Sequence, residues 1–172
     1  MRLESLKLEQ VTEYVAKIEN GLPIKICQSL SNTIYEASDA VISFTATDVE
    51  LLSDIQSQLF LTYKDNFFPE VQMSGDSNEY SLELDFLNIE PNSEIRLHCS
   101  GKGASQRFIS FMFITDVIQE GIEITLNNNE NLGVFKVGDI LIFPPYYDHL
   151  ICFKTGDEEK FCSVTLHACM LY

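Results

Sequence analysis

Residues 137–149 read Val-Gly-Asp-Ile-Leu-Ile-Phe-Pro-Pro-Tyr-Tyr-Asp-His. Gly138-Asp139 predicts a turn, and the apolar run Ile140–Phe143 predicts a short strand buried on both faces. Pro144 and Pro145 must end that strand, because proline has no amide hydrogen to donate to a neighbouring strand. His149 is therefore expected at the mouth of a sheet, where a loop can expose an imidazole to a metal. A single histidine at a strand end is more often a hydrogen-bonded structural residue.

The chain downstream of Tyr80 contains short strand patterns separated by turn residues and almost no helical period. Evenly spaced short strands are typical of a sandwich or a small barrel. The predicted strands are Ser81–Ile89, Glu94–Cys99, Phe108–Thr115, Gly121–Leu126, Gly133–Val137, Ile140–Phe143, Leu150–Phe153 and Lys160–Ala168.

Residues 1–79 are expected to form a cover of helices and strands over this β-core, residues 80–172. Apolar residues at spacings of three and four predict two amphipathic helices, whose apolar faces need a sheet to cover them. We therefore expect a single domain over residues 1–172, mainly β (α+β), with the N-terminal helices packed on one sheet. The predicted elements are helices over Ser5–Asn20 and Val49–Tyr63, strands over Ile24–Cys27 and Val41–Ala46, and a loop over Met73–Tyr80.

Composition excludes several classes of partner. The 172 residues include 26 acidic and 11 basic side chains, a net charge of −15, and the basic residues form no run, so a nucleic acid would be repelled. The N-terminal residues lack a secretory core, and no apolar run approaches the roughly 18 residues that span a bilayer. The five scattered cysteines contain no C-x-x-C pair, which indicates reduced thiols. We expect a cytoplasmic protein with no membrane or nucleic-acid partner.

Several motifs follow one another in the β-core. In chain order they are His98-Cys99-Ser100, Arg107-Phe-Ile-Ser110, Gly121-Ile-Glu123, Gly138 to Pro144, His149 and Lys160. Their order and spacing, over roughly residues 80 to 168, resemble the prolyl-4-hydroxylase type of Fe(II)/2-oxoglutarate-dependent dioxygenase. That family has a double-stranded β-helix, or jelly roll, with an H-x-D motif, an R-x-x-S strand, a G-G-E segment, a G-D-hydrophobic-F-P strand, a distal histidine and a following Lys or Arg.

The resemblance implies a metal and a cosubstrate. Two histidines and a carboxylate hold Fe(II) in the family and leave positions open for 2-oxoglutarate and oxygen. By this resemblance His98 would be the proximal ligand and His149 the distal one. Lys160 would meet the far carboxylate of 2-oxoglutarate, with Arg107 as a second cosubstrate-binding candidate. The implied activity is hydroxylation of a protein side chain or a small molecule.

The sequence departs from the family at Ser100, which stands where the carboxylate of H-x-D is expected. A neutral hydroxyl is a poorer ligand for Fe(II) than a carboxylate. Three arrangements remain open. Iron is held by two histidines and 2-oxoglutarate; or a carboxylate from elsewhere completes the set, with Asp116, Glu120 and Asp148 the nearest in sequence; or the site is inactive.

Two other functions compete with an oxygenase. The first is a catalytically degenerate β-helix domain that serves as a binding or interaction module, for which Ser100 is the main argument. The second is a cupin-like barrel, because the spacing from Gly138 through Pro144 to His149 is close to the second cupin motif. A cupin would bind a metal without 2-oxoglutarate. The remaining histidine, His167, is expected to be a satisfied residue of the last strand, and the sequence leaves open whether the chain forms a homo-oligomer.

Overall fold

The computed structural model of the chain describes residues 6–36, 46–69, 80–89, 94–96, 107–117, 121–144, 151–154 and 161–170. Within these ranges two helices are found, α1 (Ile24–Glu36) and α2 (Ala46–Phe67). The strands are β1 (Leu8–Gln10), β2 (Ala16–Ile18), β3 (Tyr80–Ile89), β4 (Glu94–Arg96), β5 (Arg107–Val117), β6 (Ile122–Leu126), β7 (Asn131–Phe135), β8 (Ile140–Phe143), β9 (Ile151–Lys154) and β10 (Phe161–Met170).

The strands form two antiparallel sheets. The large sheet has the order β1-β2-β8-β5-β10-β3, and the small sheet has the order β4-β9-β6-β7. From β3 onward nearly every connection takes the chain from one sheet to the other, and only β6 and β7 are consecutive neighbours in one sheet. This winding is the double-stranded β-helix, so the predicted fold class is confirmed.

The central strands β5 and β8 of the large sheet are buried on both faces, because their residues alternate between two apolar clusters. Ile109, Phe111 and Phe113 of β5 pack with the helices, while Met112 and Ile114 pack with the small sheet. All four residues of β8 are buried, as the continuous apolar run predicted. The helix-side cluster also contains residues from both helices, Cys27, Leu30, Ile34, Leu52, Ile55, Leu59 and Tyr63.

The turn before β8 needs glycine. Gly138 has a φ of 93°, and a Cβ there would lie 2.7 Å from the carbonyl oxygen of Leu22. Its amide donates to the carbonyl of Ile114, and its own carbonyl accepts from the amide of Leu22, both at 2.9 Å. The turn therefore joins the N-terminal segment to the large sheet.

Asp139 fixes the same turn with its carboxylate, which is almost fully buried. One carboxylate oxygen accepts from the amide of Asn20 at 3.0 Å. The other accepts from the amide of Lys136 at 2.9 Å and pairs with Lys17 Nζ at 3.2 Å. A buried carboxylate is tolerated when hydrogen bonds and a cation compensate its lost hydration, and this one has both.

The predicted helix over Ser5–Asn20 is wrong. Leu8–Gln10 and Ala16–Ile18 are antiparallel strands, and β2 continues the large sheet by pairing with β8. β2 forms backbone hydrogen bonds with β8, and this pairing outweighed the local helical tendency that the spacing of apolar residues suggested.

The predicted strand over Ile24–Cys27 is also wrong, because these residues begin α1. The amides of Ile26 and Cys27 donate to the carbonyl of Pro23, a residue whose fixed φ suits the start of a helix. Cys27, Leu30 and Ile34 are buried at helical spacing.

The other predicted elements have three outcomes. The helix over Val49–Tyr63 is confirmed, since it lies within α2. Of the predicted strand Val41–Ala46, only Ala46 is described, and it begins α2 rather than ending a strand. The predicted loop Met73–Tyr80 lies outside the described residues except for Tyr80, the first residue of β3. In the part of the chain described here, no helix is long and apolar enough to cross a membrane.

Candidate functional site

The candidate metal ligands His98 and His149 are close in sequence to two paired strands of the small sheet, β4 and β9. β4 and β9 are antiparallel, with Arg96 opposite Cys152 and Glu94 opposite Lys154. The end of β4 therefore lies beside the beginning of β9. His98 follows Arg96 by two residues, and His149 precedes Ile151 by two. His98, Ser100 and His149 themselves lie outside the described residues.

Arg107 and Phe161, the residue that follows Lys160 in the sequence, lie at opposite ends of the large sheet. Arg107 is the first residue of β5 and is opposite Cys169, near the end of β10. Lys160, outside the described residues, directly precedes Phe161, the first residue of β10. At about 3.4 Å per residue, the ten residues of β10 span roughly 30 Å. 2-Oxoglutarate is much shorter than this separation between Arg107 and Phe161.

The face of the large sheet that packs against the small sheet contains a group of buried hydroxyls. In the antiparallel register Ser163 is opposite Ile114, Thr165 is opposite Met112 and Ser110 is opposite Phe143. Directly opposite residues share a face, and Met112, Ile114 and Phe143 all belong to the cluster between the sheets. Ser110, Ser163 and Thr165 are at most 5% exposed.

The hydroxyl of Ser163 is buried without a hydrogen-bond partner. Such a group costs about 1–3 kcal/mol, so native structures contain few of them, and each calls for an explanation. A polar molecule or water between the sheets would supply the missing partner. The sequence carried a signal for this face, since polar residues recur at every second position in Ser163-Val-Thr165-Leu-His167.

Of the three alternative carboxylates, only Asp116 is described. It accepts a hydrogen bond from the hydroxyl of Tyr35 at 2.8 Å, which connects it to α1 on the helix side of the large sheet. Glu120 and Asp148 lie outside the described ranges. Among the residues with described side chains, no group of three or more His, Cys, Asp or Glu is arranged to hold a metal ion.

The Gly121-Ile-Glu123 segment has a structural explanation. Gly121 has a φ of 133°, and a Cβ there would lie 2.7 Å from the carbonyl oxygen of Phe135. Ile122 points into the sandwich, whereas Glu123 is exposed and accepts a hydrogen bond from Asn131. Glu123 therefore lies on the outer surface of the small sheet.

No protein-family model and no curated protein sequence matches the chain. Solved structures do match. The viral collagen prolyl hydroxylase of Paramecium bursaria Chlorella virus 1, in its 2OG complex, has a TM-score of 0.62 and 15% identity over 92% of this chain and 97% of its own. A Pseudomonas putida prolyl-4-hydroxylase has a TM-score of 0.61 and 13% identity over 94% and 95%.

A prolyl 4-hydroxylase of Phytophthora capsici is also similar, with a TM-score of 0.52 and 13% identity over 92% of this chain and 59% of its own. At identities this low, structural likeness shows a shared fold. The resemblance that the motif order predicted is confirmed at that level: the chain has the double-stranded β-helix fold of the prolyl 4-hydroxylases.

Proposed function

We propose that this chain is an oxygenase-like protein that uses Fe(II) and 2-oxoglutarate to hydroxylate a protein side chain or a small molecule. The observation that carries the proposal is the pairing of Arg96 with Cys152. Two residues of chain reach at most about 7 Å, so His98 and His149 are each attached a short distance from adjoining strand ends. Neighbouring imidazoles at the mouth of a sandwich are a suitable ligand pair for iron.

The residues present fit the proposed cofactors in part. His98 and His149 would hold Fe(II), and Lys160 would pair with the far carboxylate of 2-oxoglutarate. The orphaned Ser163 hydroxyl supports a polar occupant between the sheets. When bound, Fe(II) and 2-oxoglutarate would activate dioxygen, which is the oxidant of the hydroxylation. The chain would orient the substrate and exclude water with the apolar cluster that includes Phe143 and Phe153.

The third ligand position decides whether the site is active. Ser100 offers a hydroxyl, and Asp116 is hydrogen-bonded to Tyr35 on the helix side of the large sheet. These two facts favour iron held by the two histidines and 2-oxoglutarate over a triad completed by Asp116. The names of the structural relatives make a prolyl peptide the first substrate to try.

The test is an anaerobic titration of the protein with Fe(II) and 2-oxoglutarate, following the visible metal-to-ligand charge-transfer band. We expect the band to be lost in His149→Ala. It should be retained in the control variant His167→Gln, which changes the histidine on β10 that is not a proposed ligand. Lys160→Ala should raise the 2-oxoglutarate concentration needed for half of the band by roughly tenfold or more, since a charge-assisted hydrogen bond is lost. Lys154→Ala, an exposed lysine on β9, should leave that concentration unchanged.

The second candidate function is a binding module without catalysis, and Ser100 is the observation that favours it. No band and no retained iron would exclude the oxygenase and leave this module. Retained metal with no response to 2-oxoglutarate would instead favour the cupin-like alternative. A band with no consumption of 2-oxoglutarate under oxygen would indicate a cosubstrate-binding protein that has lost activity.

A further inference from the structure

A cleft of about 340 Å³ lies between α1 and the end of β5. Ser31 of α1 and Thr115 of β5 line it, and they are only 4% and 2% exposed. Neither hydroxyl has a hydrogen-bond partner. The cleft therefore contains an unsatisfied buried hydroxyl on its helix wall and another on its strand wall.

Ser31 lacks the partner that helical hydroxyls commonly use. A serine or threonine inside a helix can donate to the carbonyl four residues earlier. Thr33, two positions away in α1, does so to Ser29 at 3.0 Å, and Ser57 of α2 does so to Ser53 at 3.2 Å. Ser31 makes no such bond, so its hydroxyl remains available to a molecule in the cleft.

A β-bulge directs Thr115 and Asp116 into the same cleft. In the pairing with β10, Ser163 is opposite Ile114 and Cys162 is opposite Asp116, so Thr115 is the extra residue. Consecutive strand residues normally point to opposite faces, whereas both of these line the cleft on the helix side. Bulges are common next to binding sites because they redirect side chains in this way.

The charge and shape of the cleft select one kind of ligand. Asp116 is the charged residue among those that line the cleft, and the neutral amides of Gln28 and Asn32 lie beside it. Tyr35 donates one hydrogen bond to Asp116, and a carboxylate can accept several. The two orphaned hydroxyls can accept hydrogen bonds from a donor-rich group. Among the described residues that line the cleft none is basic, so an anion there would meet the Asp116 carboxylate without a described cation to balance it.

The lining also includes apolar side chains. Ile24 is 61% exposed, and Val137 is partly buried against the helix-side cluster. They offer a surface on which an alkyl stem can lie. At about 340 Å³, the cleft is at the lower end of the range for ligand sites, which suits a single side chain or a small metabolite.

We propose that this cleft is a second binding site, which takes an alkylammonium or alkylguanidinium group. The cation pairs with Asp116, its N–H groups donate to Ser31 and Thr115, and its stem lies on Ile24 and Val137. The site goes beyond the proposed oxygenase function. It lies on the face of the large sheet opposite the sandwich interior, so it stands even if iron and 2-oxoglutarate do not bind.

The first experiment is calorimetric titration of the full chain, without added metal, with butylammonium and butylguanidinium at physiological salt. Butanoate is the probe of opposite charge, and butanol is the uncharged probe. We expect saturable binding of at least one cation and none of butanoate or butanol. The proposal would be overturned if butanoate bound as tightly as the cations. It would also be overturned if neither the free cations nor short peptides containing lysine or arginine showed saturable binding.

Variants separate this site from the general attraction of an acidic protein for cations. Asp116→Asn keeps an oxygen for the Tyr35 hydroxyl and should weaken cation binding roughly tenfold or more. Glu123→Gln removes the same charge from the outer face of the small sheet and should have no effect. Equal weakening by the two variants would show non-specific attraction and overturn the site.

Thr115→Val tests the orphaned hydroxyl without a risk of unfolding, because it replaces an unsatisfied polar atom with a methyl group of similar size. Cation binding should fall several-fold while thermal stability stays the same or rises. Thr125→Val, on β6 of the other sheet, is the matched control and should bind normally. Unchanged binding by Thr115→Val would overturn the proposed contact.

The source of the cationic group is resolved with a second set of probes. Capped tripeptides with a central lysine or arginine present the same group as part of a peptide, and a central norleucine is the control. Binding of the free cations alone indicates a small-molecule ligand, and binding of the peptides alone indicates a protein side chain. Either result supports the site, provided that Asp116→Asn weakens it.

Discussion

The two faces of β5 and β8, central strands of the large sheet, are both buried but differ in chemistry. The face under the helices is apolar along the central strands, where Phe111 and Phe113 of β5 lie beside Ile140 and Ile142 of β8. The face inside the sandwich mixes apolar residues with buried hydroxyls, Ser110, Ser163 and Thr165.

The difference indicates that one face of the sheet mainly contributes to stability and that the other is suited to binding. Apolar burial contributes stability with no polar cost, whereas a buried hydroxyl without a partner lowers stability and is retained where a ligand needs it. The helix face departs from this rule at its edge, where Thr115 lines the cleft. We therefore expect the largest stability effects from the apolar face and the smallest from the hydroxyls that have no hydrogen-bond partner.

The largest effect should come from Phe111→Ala. Phe111 is fully buried under the helices, and its removal should lower the free energy of unfolding by about 3–5 kcal/mol through lost burial and a cavity. Urea denaturation should show a lower midpoint with an unchanged slope. Val134→Ala, at a half-exposed position of β7, should change stability by no more than about 0.5 kcal/mol. A loss below about 1 kcal/mol for Phe111→Ala would contradict the packing of helices on this face.

Cys27 of α1, which is buried in the helix-side cluster, makes the stability of the protein sensitive to alkaline pH. Burial among the helix-side apolar residues raises the pKa of its thiol to about 11 from 9.0, despite opposing hydrogen bonds from the backbone. Below pH 9 the thiol is neutral in both states. Between pH 9 and 11 the unfolded chain ionises while the folded chain does not, so stability is lost as pH rises, by roughly 3 kcal/mol at most.

Comparison with Cys27→Ala isolates this effect from the tyrosines and lysines that titrate in the same range. The unfolding free energies of the two proteins should differ most at pH 8 and converge toward pH 11, since alanine has no proton to lose. Parallel pH curves for the two proteins would contradict a raised thiol pKa.

The sequence predicts the β-core well because its signals are local. Ile140–Phe143 was located correctly, since a run that is buried on both faces and ended by proline has one reading as a strand. The N-terminal segment failed for the opposite reason. Val15 packs between the sheets, whereas Ala16 and Ile18 pack under the helices. A strand of three residues is too short to show the two-residue alternation of apolar and polar side chains. The apolar residues around it happen to recur at spacings of three and four, which predicted a helix.

The candidate site was predictable only as an order of motifs. Nothing in the sequence near His98 or His149 indicates that β4 and β9, the nearest described strands, adjoin, because that information lies in the pairing of β4 with β9. The cleft between α1 and β5 was even harder to predict from the sequence. Ser31 and Thr115 are 84 positions apart, and each looks ordinary in its own element. Their shared lack of partners arises from the packing of α1 on β5.

The smallest stability effect should come from Ser163→Ala on the sandwich face. Because the Ser163 hydroxyl has no partner, its removal should leave the free energy of unfolding unchanged or raise it by up to about 1 kcal/mol. Ser110→Ala is the matched control on the same face, since Ser110 is equally buried but takes part in a polar interaction, and it should be destabilising. If Ser163 is kept for a ligand, the same variant should weaken 2-oxoglutarate binding in the anaerobic titration. A clear loss of stability in Ser163→Ala would instead show that the hydroxyl is satisfied in the folded chain, and the two faces of the sheet would then not differ as proposed.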